Sequence, residues 1–454
     1  MSLRSISIKG FRGFSKLTPL FLAQPNGNPG SGLTVLTGPN NSGKSSILEC
    51  INLRSNHQSP SFDVEMRNKE VGEILITFDI THSIEFIISL KSDASESQFL
   101  NRTSAFKSLV LPSRRAFSPY FGKGIHSRDQ HSQSLASQSR SNALSGFEYR
   151  LFKILENPLK FNQILSKVLG FTPDWAIDKS GQGQYFLKFT NGSHSHNSNG
   201  LGEGIISIFS IVDSLYDSKD GDLICIDEPE LSLHPSLQKR LSQLLSDYSA
   251  TRQIIISTHS PYFIDLNSIK NGGEVYRVIN DTSETNVYRL SNSSKSWMAK
   301  IFNTNSNNPH VFGLDAKEIF FCEDGILLTE GQDDVIFYPT VFAEVGVSIN
   351  ASFYGWGMGG ADNAIQLCQI LNDLGFKKVA VILDNNQRQK LDELRSKFPN
   401  FMFDCIPAED IRTKKMRKAT QQVDGLLDDN YQIRSVFEGD TKKLVNQLAT
   451  FFQN

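Results

Sequence analysis

Apolar residues along the chain fall into short continuous runs separated by stretches with helical spacing, a pattern of buried strands alternating with surface helices. The opening MSLRSISIKGFRGF alternates apolar and polar positions like a strand. LTVLT at 33–37 is a short apolar strand leading through GPNNSGKSS into the helical ILECINLR. EILITFDI (73–80) and IEFIISL (84–90) predict an antiparallel pair. Residues 113–145, rich in Ser, Gln, Arg and His, predict an exposed insertion, and 147–170 regains helical spacing. LICID (223–227), a helix at 235–248 and QIIIST (253–258) form a β–α–β series that implies a parallel sheet. A Ser- and Asn-rich stretch at 291–310 reads as a linker. Beyond it a second α/β series begins. GILLTEG is followed by a helix near 333–345, a strand near 351–354 and a helix near 361–374. KVAVILD (378–384), a helix near 388–397 and MFDCIP complete the series. No fixed-period repeat is present.

At 454 residues the chain exceeds one compact core. With 39% hydrophobic and 21% charged residues it has apolar material for packed domains, which excludes a disordered, collagen-like or coiled-coil chain. Lys plus Arg (46) nearly balances Asp plus Glu (48), so any nucleic-acid-binding surface is local and offset elsewhere. The five cysteines, Cys50, Cys225, Cys322, Cys368 and Cys405, are dispersed and form no CxxC pair, which argues against a disulfide framework and a thiolate zinc site. The first residues lack the apolar core of a signal peptide, and no run approaches the roughly 18 apolar residues that cross a bilayer. The expectation is a soluble, cytoplasmic protein without membrane contact.

Gly38-Pro39-Asn40-Asn41-Ser42-Gly43-Lys44-Ser45 matches GxxxxGK[ST] between a strand and a helix, with Ser46 following. Backbone amides of such a loop face phosphate oxygens at the helix N-terminus. Lys44 is expected to reach the β- and γ-phosphates of ATP, and Ser45 to hold Mg²⁺. Four apolar residues then place Asp227 at the carboxyl end of a buried strand, where it can order the Mg²⁺ shell while Glu228 polarises the attacking water.

A second acidic series follows. ILLTEGQDD ends a strand at Glu330, with Asp334 four residues on. Gly359-Gly360 comes next, then Asp384-Asn385-Asn386 after another apolar strand. Acidic groups at the carboxyl ends of parallel strands converge, and hard oxygen ligands suit Mg²⁺ or Mn²⁺. Asp410, in IPAEDIRTK, is a candidate replacement carboxylate for the series, and the basic run RTKKMRK (412–418) is a candidate phosphate contact.

DEPELSLHP followed by IIISTHSPYFI resembles the ABC-type ATPase core shared by SMC-like, RecF-like and OLD-family proteins, and IKGFRGF resembles that group's opening strand. The resemblance implies that His259 is the histidine that senses the γ-phosphate and that the residue matching Arg12 lies near the nucleotide. It also implies a signature segment supplied in trans, matched by Leu201-Gly202-Glu203-Gly204, where Gly202 replaces the usual serine. Gln58 is a candidate for the Q-loop glutamine. The series Glu330, Gly359-Gly360, Asp384 resembles a Toprim domain, in which Glu330 would be acid/base or metal ligand and Asp334 and Asp384 metal ligands. Asn386 stands where that family has a second aspartate.

An ABC-type ATPase followed by a Toprim-like domain resembles the OLD family, which includes anti-phage effectors such as Gabija-type and retron-associated nucleases. The expected architecture is an α/β ATPase domain over 1–300 with an insertion at about 60–195, a linker at 301–324 and a Toprim-like domain at 325–454. The resemblance implies an ATP-regulated, metal-dependent DNA endonuclease in phage defence. It further implies a homodimer or higher oligomer, with a defence-system partner protein or retron RNA/DNA as a possible companion. Asn386 keeps open an ATPase sensor or scaffold with a degraded second site that works through a partner protein. A RecF- or SMC-type repair ATPase fits less well, because the insertion is short and lacks heptads and neither group explains the second acidic series.

Overall fold

The computed structural model describes residues 2–55, 59–90, 95–103, 107–115, 120–136, 146–191, 194–197, 202–281, 284–306, 308–414 and 423–453. It divides into two compact units, 1–287 and 288–454. Among the described residues no helix is long and apolar enough to cross a membrane. Among the described residues no cysteine is in a disulfide.

The first unit is built on a six-stranded sheet. Its order is Glu284–Arg289, Glu274–Asp281, Leu33–Thr37, Gln253–Ser257, Leu223–Asp227 and Ser108–Leu111. From Glu274–Asp281 through Ser108–Leu111 neighbouring strands run parallel. LTVLT, LICID and QIIIS are buried at every position, as expected of parallel strands covered on both faces. The helices Lys44–Ser55 and Pro235–Tyr248 follow two of these strands, the latter starting with a proline at its first turn, where the missing N–H costs nothing.

An antiparallel sheet in the same unit has the order Thr18–Phe21, Leu3–Lys9, Ile74–Ile80, Ser83–Ser89 and Gln98–Leu100. Its alternating inner face (Ile6, Ile8, Ile74, Ile76, Phe78, Ile80) shares one core with Leu36, Ile47, Ile51 and Ile255. Gln253 ties the two sheets together. Its side-chain amide donates to the carbonyls of Leu3 (2.7 Å) and Ala23 (3.0 Å) and accepts from the Leu3 N–H (2.8 Å).

The stretch 60–195 is therefore no appendage. It supplies three strands of this antiparallel sheet and, through Ser108–Leu111, the edge of the ATPase sheet beside Leu223–Asp227. Within 113–145, expected to be exposed, Arg115 and His131 are buried at 3% and 1% exposure. The segment 147–170 forms two helices, Phe147–Ile154 and Pro158–Leu169, because Pro158 cannot continue the first and begins the second.

The second unit has a four-stranded parallel sheet in the order Ser352–Phe353, Ile326–Thr329, Val379–Leu383 and Met402–Cys405. The helix Glu438–Gln453 packs into its core through Leu444, Val445, Leu448 and Phe452. The polar stretch at 291–310, and much of 301–324, is helical where a linker was expected. Helix Asn292–Thr304 is capped by Ser291 Oγ, which accepts from the Ser294 N–H at 3.3 Å. Ser291 N–H and Ser294 Oγ both donate to Asp373, at 2.8 and 2.6 Å, which fixes this helix start to its own unit. Capping and anchoring supply what the weak apolar pattern does not.

Candidate functional site

The phosphate loop leaves Leu33–Thr37 through Gly38 (φ +126°), Asn41 (φ +61°) and Gly43 (φ +106°). Gly38 is obligatory twice over: its φ is left-handed, and a Cβ there would stand 2.0 Å from the Val278 carbonyl oxygen. Lys44 Nζ donates to the carbonyls of Gly38 (2.9 Å) and Pro39 (2.8 Å). Burial lowers its pKa to about 8 against the opposing pull of Asp227, Glu228 and Glu230. A cavity of about 460 Å³ lies over the loop, lined by Asn40 to Ser46, Arg12, Glu228 and His259. Arg12, itself at φ +48°, lies within 3.3 Å of Ser46 Oγ and pairs with Glu49 at 2.8 Å.

Ser45 Oγ donates to Asp227 Oδ1 at 3.1 Å, and Ser257 Oγ donates to the same carboxylate oxygen. Glu228 reaches the cavity from a left-handed backbone (φ +49°), its N–H donating to the Ser257 carbonyl at 2.8 Å. His259 is held by its backbone. Its N–H donates to Glu230 Oε1 at 2.6 Å, and Thr258 Oγ1 donates to Glu230 Oε2 at 2.8 Å. Burial raises the pKa of Glu230 and lowers that of His259, the latter helped by the nearby Lys44 charge. Sequence reading missed Glu230 as the anchor of the histidine loop, although its place in DEPE offered a signal. It also missed Gly13, Asn280 and Thr285 on the cavity wall, which only the fold brings near.

Gly202 and Gly204 do not line this cavity. They open the helix Glu203–Tyr216, and Gly204 packs so tightly on the loop after Glu230 that a Cβ would lie 2.4 Å from the Ser232 carbonyl oxygen. Leu201 and Gln58 lie outside the described residues.

The second unit gathers its acidic residues around another cavity, of about 410 Å³, lined by Glu330, Asp333, Asp334, Asp384, Asp410 and Lys414. Asp334 caps its own helix by accepting the Gly331 N–H at 2.9 Å, and the Asp384 N–H donates to Glu330 Oε1 at 2.9 Å. Burial, reinforced by the neighbouring carboxylates, raises Asp334 to about 7 and Asp384 to about 8, and burial raises Glu330 as well. Such a pocket is short of positive charge. Asn386 is exposed and does not line it, so the amide at the family's aspartate position does not face these groups. Asp410 does line it. Of the basic run, Arg412 Nε donates to Asp333 at 2.6 Å and Lys414 Nζ to Asp410, while 415–418 fall outside the described residues. Among the described residues no three His, Cys, Asp or Glu side chains gather tightly enough to hold a metal ion by themselves. The donors are hard oxygens arranged around a space, so a divalent ion there would complete its shell with water or phosphate oxygens.

Phosphate loop, buried aspartate and parallel sheet define a P-loop α/β ATPase domain. The chain belongs to the family described as "AAA domain, putative AbiEii toxin, Type IV TA system", which matches residues 33–265, half of the chain. It is similar to the Old nuclease of Escherichia phage P2, 29% identical over 163 residues, covering 35% of this chain and 27% of that protein. It is also similar to Endonuclease GajA of Bacillus cereus (strain VD045), 28% identical over 213 residues, covering 45% of this chain and 34% of that protein. The chain thus spans about a third or less of the length of these curated relatives. A solved Smc head domain from Pyrococcus furiosus, bound to the C-terminal domain of ScpA, has a TM-score of 0.45 at 12% identity, covering 66% of this chain and 99% of that one. The resemblance to OLD-type ATPase–nucleases read from the motifs is borne out by the two relatives and the family match.

Proposed function

We propose that the chain is an ATP-hydrolysing, metal-dependent DNA endonuclease of anti-phage defence, active as a homodimer or higher oligomer. In the first unit Lys44 would neutralise the terminal phosphates, Ser45 and Asp227 would hold Mg²⁺, and Glu228 would orient the attacking water. The Ser45–Asp227 contact of 3.1 Å supports that assignment. Gly202–Gly204, turned away from its own cavity, would face the nucleotide of a second copy.

The second unit supplies the nuclease, as a Toprim-like domain. The observation that carries this reading is the cavity lined by Glu330, Asp334, Asp384 and Asp410 beyond the carboxyl edge of the parallel sheet. Those carboxylates would hold Mg²⁺ or Mn²⁺, which supplies Lewis acidity toward a phosphodiester. The names of the two relatives point to the same activity. Asp410 would supply a fourth carboxylate at this cavity, which supports an intact site despite Asn386.

Incubating the purified chain with supercoiled plasmid and Mg²⁺ or Mn²⁺, with and without ATP, tests the reading. Nicking by the wild type and none by Glu330→Gln is expected. Equal behaviour of the two proteins would overturn the nuclease assignment.

A further inference from the structure

Arg115 lies in the polar stretch that composition marks as exposed, yet only 3% of it is accessible. It follows the edge strand Ser108–Leu111, whose Leu111 pairs with Ile226, so the chain beyond that strand runs past the end of Leu223–Asp227. There its guanidinium donates to four oxygens. Nη1 donates to the carbonyls of Pro112 (2.8 Å) and Asp227 (2.6 Å), and Nη2 to the carbonyl of Glu228 (2.7 Å). Nε donates to Ser207 Oγ at 2.7 Å.

Glu228 is the strained residue here. A left-handed backbone is unfavourable for a side chain of this size and persists only where its surroundings over-determine it. Its N–H is fixed by the Ser257 carbonyl and its carbonyl accepts from both Arg115 and the Leu231 N–H (3.1 Å). The fourth bond reaches a different element. Ser207 sits one turn into the helix Glu203–Tyr216, whose Gly204 abuts Ser232 just after the same acidic loop. Burial lowers the Arg115 pKa to about 10, which leaves it charged at neutral pH, as four charge-assisted bonds require.

We infer that Arg115 is a positioning residue for hydrolysis, clamping Asp227 and Glu228 by their carbonyls and tying them, through Ser207, to the helix that opens with Gly202–Gly204. The inference rests on the ATPase reading above.

The full-length protein tests this with Arg115→Lys, Arg115→Ala and Ser207→Ala beside Glu228→Gln. In the first three, ATP affinity measured by calorimetry is expected to stay within threefold of wild type. The kcat of the Arg115 variants falls at least tenfold and that of Ser207→Ala at least threefold. Millimolar guanidinium restores part of the kcat of Arg115→Ala and none of that of Glu228→Gln. In nucleotide-free protein, amide exchange at 227–232 rises at least tenfold in the Arg115 variants while the strand 33–37 keeps its protection. Unchanged exchange at 227–232 overturns the inference whatever the turnover. Unchanged kcat in the Arg115 variants, or no guanidinium rescue, overturns it too. A wild type that hydrolyses ATP no faster than Glu228→Gln strikes the ATPase reading instead, and the exchange measurement still decides whether Arg115 positions the loop.

Discussion

The hydroxyl of Ser45 donates to the carboxylate of Asp227 at 3.1 Å, joining two residues 182 positions apart at the floor of one cavity. A helix start and a strand end meet there, each bringing an oxygen of the hard kind that the proposed Mg²⁺ would take.

Binding and hydrolysis of ATP should separate by mutation. Lys44→Ala removes the loop's buried ammonium and is expected to weaken ATP binding at least tenfold. Glu228→Gln keeps the shape but not the charge that polarises water, and is expected to bind ATP normally with kcat lowered roughly 100-fold or more. Calorimetry and phosphate release check both. Wild-type turnover by either variant would contradict the site.

The acidic cavity of the second unit is lined by Asp410 and not by Asn386, which separates the two residues under the proposed nuclease reading. Asp410→Asn should lower Mn²⁺-dependent nicking about tenfold or more, by analogy with the cost of losing a metal-orienting group. Asn386→Asp, at an exposed position outside the cavity, should change it by less than about twofold. A gain of activity in Asn386→Asp would show that the motif position, rather than the cavity, defines the ligand set.

Assembly should depend on trapped nucleotide. Light scattering of Glu228→Gln with ATP is expected to give at least twice the monomer mass, and Gly204→Val to prevent this, since even a Cβ at 204 would crowd the Ser232 carbonyl. A monomer under all conditions would remove the partner role given to Gly202–Gly204.

His131 predicts a pH effect. It is buried beside the Arg150–Asp213 ion pair, and burial first, with the Arg128 and Arg150 charges, lowers its pKa to about 4 despite Asp213. The unfolded histidine takes a proton near pH 6.5, so between 6.5 and 4 the unfolded state binds more protons. Stability is complete above pH 6.5 and lost as pH falls through that window. From pH 7 to 5 the loss attributable to His131 is on the order of 2 kcal/mol. Global amide exchange in Leu223–Asp227, compared between wild type and His131→Leu, should show that loss in the wild type only. Equal losses would exclude His131 as the cause.

Strands covered on both faces were plain in the sequence, since LTVLT and LICID are apolar throughout, and the phosphate loop and Asp227 follow directly from them. Arg115 was not. Nothing in its polar neighbourhood marks it, and its role exists only because Ser108–Leu111 pairs beside Leu223–Asp227. Asn292–Thr304 was equally hidden, because its stability comes from a cap and from Asp373 rather than from an apolar stripe. Asn386, which the resemblance set at the second acidic place, is exposed in the 3₁₀ turn Asn385–Lys390, whereas Asp410 lines the cavity, a difference that only the fold displays.

The pairing of Leu33–Thr37 with Gln253–Ser257 has a consequence for synthesis of the chain. The phosphate loop leaves the ribosome some 200 residues ahead of the strands that hold it, and until then its apolar strand has no partner on that side. Gln253, which fastens Leu3, arrives as late. The second unit closes its sheet within 326–405 and has no such wait. A chain interrupted before residue 257 would therefore present LTVLT as an open, aggregation-prone edge, whereas the four strands within 326–405 find their ladder partners among themselves.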